Sequence, residues 1–100
     1  MDVEYIKVGC VCCSRAGHDR GTYYMVCQVL DSKYVLLCDG KRRGLQNPKK
    51  KQIKHLVFRP LLASPVAEKL RSGAAVYDFE IAGVLKAYQN SPTGEEGYIV

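Results

Sequence analysis

Val8-Gly9-Cys10-Val11-Cys12-Cys13-Ser14-Arg15-Ala16-Gly17-His18-Asp19-Arg20-Gly21-Thr22-Tyr23-Tyr24-Met25-Val26 sets an apolar run, a polar loop with two glycines and a second apolar run in direct succession. Val8 to Cys13 reads as a buried strand. Thr22 to Leu30 reads as a second, because β-branched and aromatic side chains suit a pleated, half-buried surface. Between them, Ser14 to Gly21 must reverse the chain. Gly17 and Gly21 tolerate left-handed backbone and close approach to a ligand, while Arg15 and Arg20 carry forked donors suited to phosphate oxygens. The loop lacks a GxxxxGK(S/T) pattern and no helix follows it, which argues against a nucleotide-hydrolysing cradle.

The β texture continues as far as Pro60. Asp31-Ser32-Lys33 turns the chain into a third strand, Tyr34 to Cys38. Asp39-Gly40 is a two-residue hairpin signal, since both residues accept the positive φ of a type I′ turn, and it predicts a returning strand over Arg42 to Gln46. Asn47-Pro48 interrupts that strand, and Ile53 to Phe58 reads as the last. Five short strands over some fifty residues are too few for a two-sheet sandwich, so the prediction is a small, strongly bent barrel of the Src-homology-3-like type. So small a core needs something packed on it.

The last forty residues supply that cover. Ser64 is placed as a helix N-cap with Pro65 at the first helical position, Val66 and Leu70 share a face, and Gly73 ends the helix. Asp78 is placed as the cap of a second helix, in which Ile81, Val84, Leu85 and Tyr88 fall at i, i+3, i+4 and i+7. That stripe needs burial against the barrel or the first helix, a partner protein being the alternative. Asn90-Ser91-Pro92 stops the helix, and Thr93 to Val100 reads as a mobile tail. The predicted organisation is mainly β with α: a barrel over 1–60, a helical extension over 61–90 packed on it, and a flexible tail over 91–100.

Charge is distributed as unevenly as secondary structure. The formal total is +5, but residues 1–60 hold twelve Lys/Arg against five Asp/Glu, whereas residues 61–100 hold three against five. Between Asp39 and Arg59, Lys41, Arg42, Arg43, Lys49, Lys50, Lys51, Lys54 and Arg59 stand against the single acid Asp39. Such asymmetry suggests a polyanionic partner, a solvated loop being the plainer alternative. Cys10, Cys12, Cys13, Cys27 and Cys38 are odd in number and lie in apolar runs. Cys10 and Cys13 make one CxxC, but no second ligand pair follows, so core packing is expected in place of zinc, a disulfide framework or redox chemistry. No apolar stretch approaches the length of about 18 residues that spans a membrane. Met1-Asp2-Val3-Glu4-Tyr5 is acidic where a signal peptide is basic, and the expectation is a soluble, cytoplasmic protein.

The order of residues over Val8 to Val26 resembles the KOW motif, a hydrophobic strand, a small-residue turn, a polar pair before an obligatory glycine, and a second hydrophobic strand; Gly21 matches that glycine. With Asp39-Gly40-Lys41-Arg42-Arg43 and Pro48-Lys49-Lys50-Lys51-Gln52-Ile53-Lys54-His55-Leu56, the chain is similar over residues 5–58 to KOW domain-containing RNA-binding proteins related to the archaeal/eukaryotic large-subunit ribosomal protein fourteen-e. It departs from the pattern at His18 and Thr22, where many relatives carry a basic residue. The resemblance implies RNA binding, with ribosomal RNA or the ribosome as partner and ribosomal proteins or RNA polymerase as further contacts. From the residues themselves, no catalytic residue, cofactor, metal, membrane or small-molecule substrate is expected.

The residues fit that role on their own terms. Lys49, Lys50 and Lys51 suit a phosphate backbone as mobile point charges, and Arg15, Arg20, Lys41 and Lys54 extend the set. Arg42 and Arg43 suit bidentate phosphate contacts, though neighbours on a strand face opposite sides and only one would touch the ligand. His55 and Tyr23 or Tyr24 could stack on bases, core or barrel-surface packing being the stronger reading. With no Trp and few aromatics near the basic run, the expected ligand is a structured RNA met through backbone and shape. A KOW-type protein-interaction module of the transcription or translation machinery is the alternative. An enzyme would need a paired carboxylate, a Ser/His/Asp set or an activated Cys/His pair, and the sequence displays no such grouping.

Overall fold

The computed structural model describes residues 6–58 and 65–89, together with the backbone of 98 and 99. Six antiparallel strands, β1 (Val11–Ser14), β2 (Tyr23–Val29), β3 (Tyr34–Cys38), β4 (Lys49–Gln52), β5 (Leu56–Phe58) and β6 (Tyr98–Ile99), form one sheet in the order β4-β3-β2-β1-β5-β6. A 3-10 turn, Ile53–His55, joins β4 to β5, and among the described residues the helices are α1 (Pro65–Ser72) and α2 (Asp78–Gln89). No helix among the described residues is long and apolar enough to cross a membrane. The sheet is open: β4 and β6 are its edges and no ladder joins them. The sheet nevertheless bends back on itself. The Arg15 amide donates to the His55 carbonyl at 2.9 Å and the Lys51 ammonium on edge strand β4 reaches Ser14 on β1 at 2.9 Å.

Alternation along the strands explains why they look apolar throughout. On one face Cys12, Tyr24, Val26, Val35, Leu37, Leu56 and Phe58 are buried with Ile6, Cys10 and Ile53. On the other, Val11, Met25 and Cys38 are buried against Val66 of α1 and Ile81 and Leu85 of α2. Both faces of β1, of β2 up to Cys27 and of β3 are therefore largely covered, and strand residues covered on both faces do not show a polar alternation. The predicted stripe on α2 is accounted for in full. Ile81 and Leu85 are buried, Val84 and Tyr88 pack half-buried beside them, and the surface they cover is the outer face of the sheet together with α1. All five cysteines are thiols; Cys10, Cys12 and Cys38 are buried and Cys13 and Cys27 half-buried. Cys27 occupies a register shift between Val26 and Gln28, the extra residue of a bulge.

Between Cys38 and Ile53 the structure departs from expectation. No strand forms over Arg42 to Gln46; the partner of β3 is β4, in the register Tyr34↔Gln52, Val35↔Lys51, Leu36↔Lys50 and Leu37↔Lys49. The cause is competition for the backbone. Asp39 Oδ1 accepts the amides of Lys41 at 2.8 Å and Arg43 at 2.9 Å, the Asp39 amide donates to the Arg43 carbonyl at 2.8 Å, and the Leu45 amide donates to Asp78 Oδ1 at 2.9 Å. Groups that a strand would offer to β3 are already bonded within the loop and to α2. Asp39-Gly40 thus opens a wide loop and no type I′ hairpin.

The helix ends match expectation in part. Gly73, at φ +80°, follows α1, and the Ala74 amide bonds back to the Lys69 carbonyl at 2.9 Å, closing the helix as a glycine terminus does. Ser64, placed as the N-cap of α1, lies outside the described residues. Asp78 does not cap α2. It is the first helical residue, and the capping position belongs to Tyr77, whose amide donates to Glu80 Oε2 at 2.9 Å. Glu80 also holds Lys69 of α1 at 2.9 Å and so ties the two helices together. In the segment read as a mobile tail, Tyr98 and Ile99 pair with Phe58 and Val57 of β5.

Candidate nucleic-acid interface

In an antiparallel run β1-β2-β3-β4, the loops after β1 and after β3 must lie at the same end of the sheet. The two basic loops, 15–22 and 39–48, share that end for this reason. Their proximity is electrostatic as well as topological, since the charges of Asp39 and Arg43 act on the Tyr24 hydroxyl at the start of β2.

Loop 15–22 is wound on itself. The Gly21 amide donates to the Ser14 carbonyl at 2.8 Å and the Thr22 amide to the Asp19 carbonyl at 2.9 Å, a tight reversal that Gly21 permits at φ +91°. That winding turns Asp19 inward. Its side chain is 13% exposed, and its carboxylate is ringed by four side-chain donors: Ser14 Oγ at 2.7 Å, Tyr24 OH at 2.9 Å, Lys49 Nζ at 2.7 Å and Lys51 Nζ at 2.6 Å. Ser14 Oγ also lies 3.0 Å from the Ala16 carbonyl oxygen, and its one proton serves one acceptor at a time. Lys51, 10% exposed, completes its set of three acceptors with Ser14 Oγ at 2.9 Å and the Ala16 carbonyl at 3.1 Å. Partial burial alone would raise the Asp19 carboxyl, but the bonds from Lys49, Lys51, Ser14 and Tyr24 outweigh it and hold the group well below the usual carboxylate range. Tyr24 moves the other way: burial and its bond to a carboxylate push its hydroxyl well above the ordinary phenol.

The lysine run is therefore divided by the pleat. Lys49 and Lys51 share the inner side and are tethered to Asp19, whereas Lys50 faces outward, exposed, with its ammonium 4.6 Å from the centre of the Tyr34 ring. Beside it runs a shallow groove of about 320 Å³ lined by Ala16, Gly17, Tyr34, Lys50, Lys51, Gln52 and His55. Among the described residues, Arg15, Arg20, Lys41, Arg42, Lys50 and Lys54 are exposed and form no ion pair. Arg43 and His55 are half-buried, and Arg59 lies outside the described residues.

No family model matches this chain, and no curated protein does. Its residues must speak for the site. The structure brings Gly17, Lys50, Lys51 and His55 into one groove, sets Arg15 against it through the bond to His55, and places Lys41, Arg42 and Arg43 in the neighbouring loop. Gly21, Asp39 and Gly40 shape those loops. Arg42 and Arg43 are not strand neighbours, so the alternation that would have set them on opposite sides does not apply. Sequence reasoning misses Asp19, Ser14 and Tyr34 as site residues, and weighs Tyr24 only for base stacking or packing, not as a partner of Asp19. Two lysines at i and i+2 on a strand share a face, and one acid in an otherwise basic loop is the signal that could have found their partner. No group of three or more His, Cys, Asp or Glu able to hold a metal lies among the described residues.

Proposed function

We propose that this chain is a non-catalytic RNA-binding protein of the KOW type, its bent sheet being a Src-homology-3-like barrel, associated with the ribosome or ribosomal RNA. One observation carries this reading. The described acids of the β region are all engaged internally: Asp19 by four side chains, Asp31 by the amides of Lys33 and Tyr34, and Asp39 by those of Lys41 and Arg43. Arg15, Arg20, Lys41, Arg42, Lys50 and Lys54 are exposed and without an ion pair among the described residues, so much of the positive excess faces water at the end of the sheet that bears the two basic loops and along edge strand β4. A polyanion placed there would displace counterions and gain affinity without base choice.

The variants that test this avoid Lys49 and Lys51, whose loss would disturb the loop itself. Lys50→Glu with Lys54→Glu should weaken binding to ribosomal RNA and reduce the log–log salt slope by about 0.7–0.9 for each phosphate contact removed. Unchanged affinity and slope would reject the reading. Copurification with RNA polymerase or ribosomal proteins that survives nuclease and high salt would favour the protein-interaction module instead.

A further inference from the structure

Tyr77 and Phe79 are the most exposed large apolar side chains described, at 63% and 73%. Their rings are nearly parallel, inclined by 8° with centroids 5.9 Å apart. They flank Asp78, and Asp78 is the residue on which the second basic loop is seated. Its carboxylate accepts the Leu45 amide, and its carbonyl and the Ala82 amide lie so close to Gly40 that any Cβ there would collide with them. The loop bearing Lys41 and Arg42 is thus fixed against the turn that bears the two rings. Of the two nearby acids, Glu80 is paired with Lys69 and bonded to the Tyr77 amide, while Asp78 keeps its charge but turns its carboxylate to the Leu45 amide of the loop.

We propose that Tyr77 and Phe79 form a stacking platform for unpaired bases of a single-stranded RNA segment whose phosphates run along Lys41 and Arg42. The inference rests on the RNA-binding reading and specifies its ligand, a single-stranded segment in place of a duplex backbone. An exposed, pre-stacked aromatic pair offers a flat face to any base, and a cationic loop rigidly beside it suits the sugar-phosphate chain that follows. Neither residue lies near the basic run in sequence; α2 brings them there.

The test compares three ligands at fixed salt: an unstructured RNA of about 12 nucleotides, within the span of a small single-strand site, an abasic strand of equal length, and an RNA hairpin. Tyr77→Ala and Phe79→Ala should each weaken the unstructured RNA by about fivefold or more, leave the abasic strand unaffected, and keep the wild-type thermal midpoint because both rings are exposed. Tyr77→Phe and Phe79→Tyr should bind like wild type. Ultraviolet crosslinking of the unstructured RNA should map to Tyr77 or Phe79. Wild-type affinity in both alanine variants would overturn the platform and leave the rings as a protein-contact patch, while RNA binding itself would stand. Failure of the wild-type chain to bind any of the three would overturn both readings.

Discussion

Asp19 joins three strands from a loop. Through Ser14 it holds β1, through Tyr24 β2, and through Lys49 and Lys51 the edge strand β4. Charge-assisted hydrogen bonds contribute roughly 1.5–3 kcal/mol, and removing the carboxylate leaves two ammonium groups facing one another. Asp19→Asn should therefore lower stability by about 2–3 kcal/mol at neutral pH in urea unfolding. The pH dependence has a definite sign. A carboxyl whose pKa is lowered on folding contributes stability that is complete above its unfolded value, about 3.9. That contribution declines as the pH falls below it, so the gap between wild type and Asp19→Asn should narrow in acid. Lys50 and Lys51 make a contrasting pair. Lys51→Met should cost about 1–3 kcal/mol by stranding its acceptors. Lys50→Ala should cost no more than about 0.5–1 kcal/mol, the worth of an exposed cation–π contact. A result in which Lys50 matters more to stability than Lys51 would contradict the geometry.

At the scale of elements, the contact between loop 39–48 and α2 decides where the basic residues point. Gly40 sits at φ +77° with the Asp78 carbonyl and Ala82 amide against it, so a side chain meets both a strained backbone and a collision. Gly21 sits at φ +91° with open space around it. Gly40→Ala should accordingly destabilise by about 2–4 kcal/mol, combining the conformational cost with overpacking. Gly21→Ala should cost about 1 kcal/mol for the backbone conformation alone. Thermal melts of the two variants test the difference, and equal losses would mean the loop is not seated on the helix. On edge strand β4 the outward Lys50 is an exposed charge that disfavours another chain adding to the strand.

For the molecule as a whole, the two hydrophobic clusters lie on opposite faces of the same strands, so neither is expected to melt alone. Val11, Met25 and Cys38 belong to the cluster under the helices, while Cys12, Val26 and Leu37, their immediate neighbours in the chain, belong to the other. Leu85→Ala, which opens the helical side, should lower stability by about 2–5 kcal/mol. Helix and sheet signals should still be lost in one transition. A separate early loss of helix by circular dichroism, with the sheet signal unchanged, would show the helices to be an independent layer.

Local chemistry by itself determined the β character of the first three strands and of Leu56–Phe58, the glycine loop between the first two strands, α1 with its glycine terminus, and the stripe on α2, whereas Ile53–His55, expected to open the last strand, forms a 3-10 turn. Each follows from periodicity or from a residue's own backbone preference, which neighbours in the chain suffice to express. The location of excess charge was equally legible. Only the tertiary structure decided which cations are available. Lys49 and Lys51 are tied to an acid thirty and thirty-two residues away, the strand expected over Arg42 to Gln46 gives way to side-chain bonds from Asp39 and Asp78, and α2 carries Tyr77 and Phe79 to the basic loop. The physical reason is common to all three. A hydrogen bond or ion pair between residues far apart in the chain depends on where the fold sets them, and no local pattern of residue types encodes that distance.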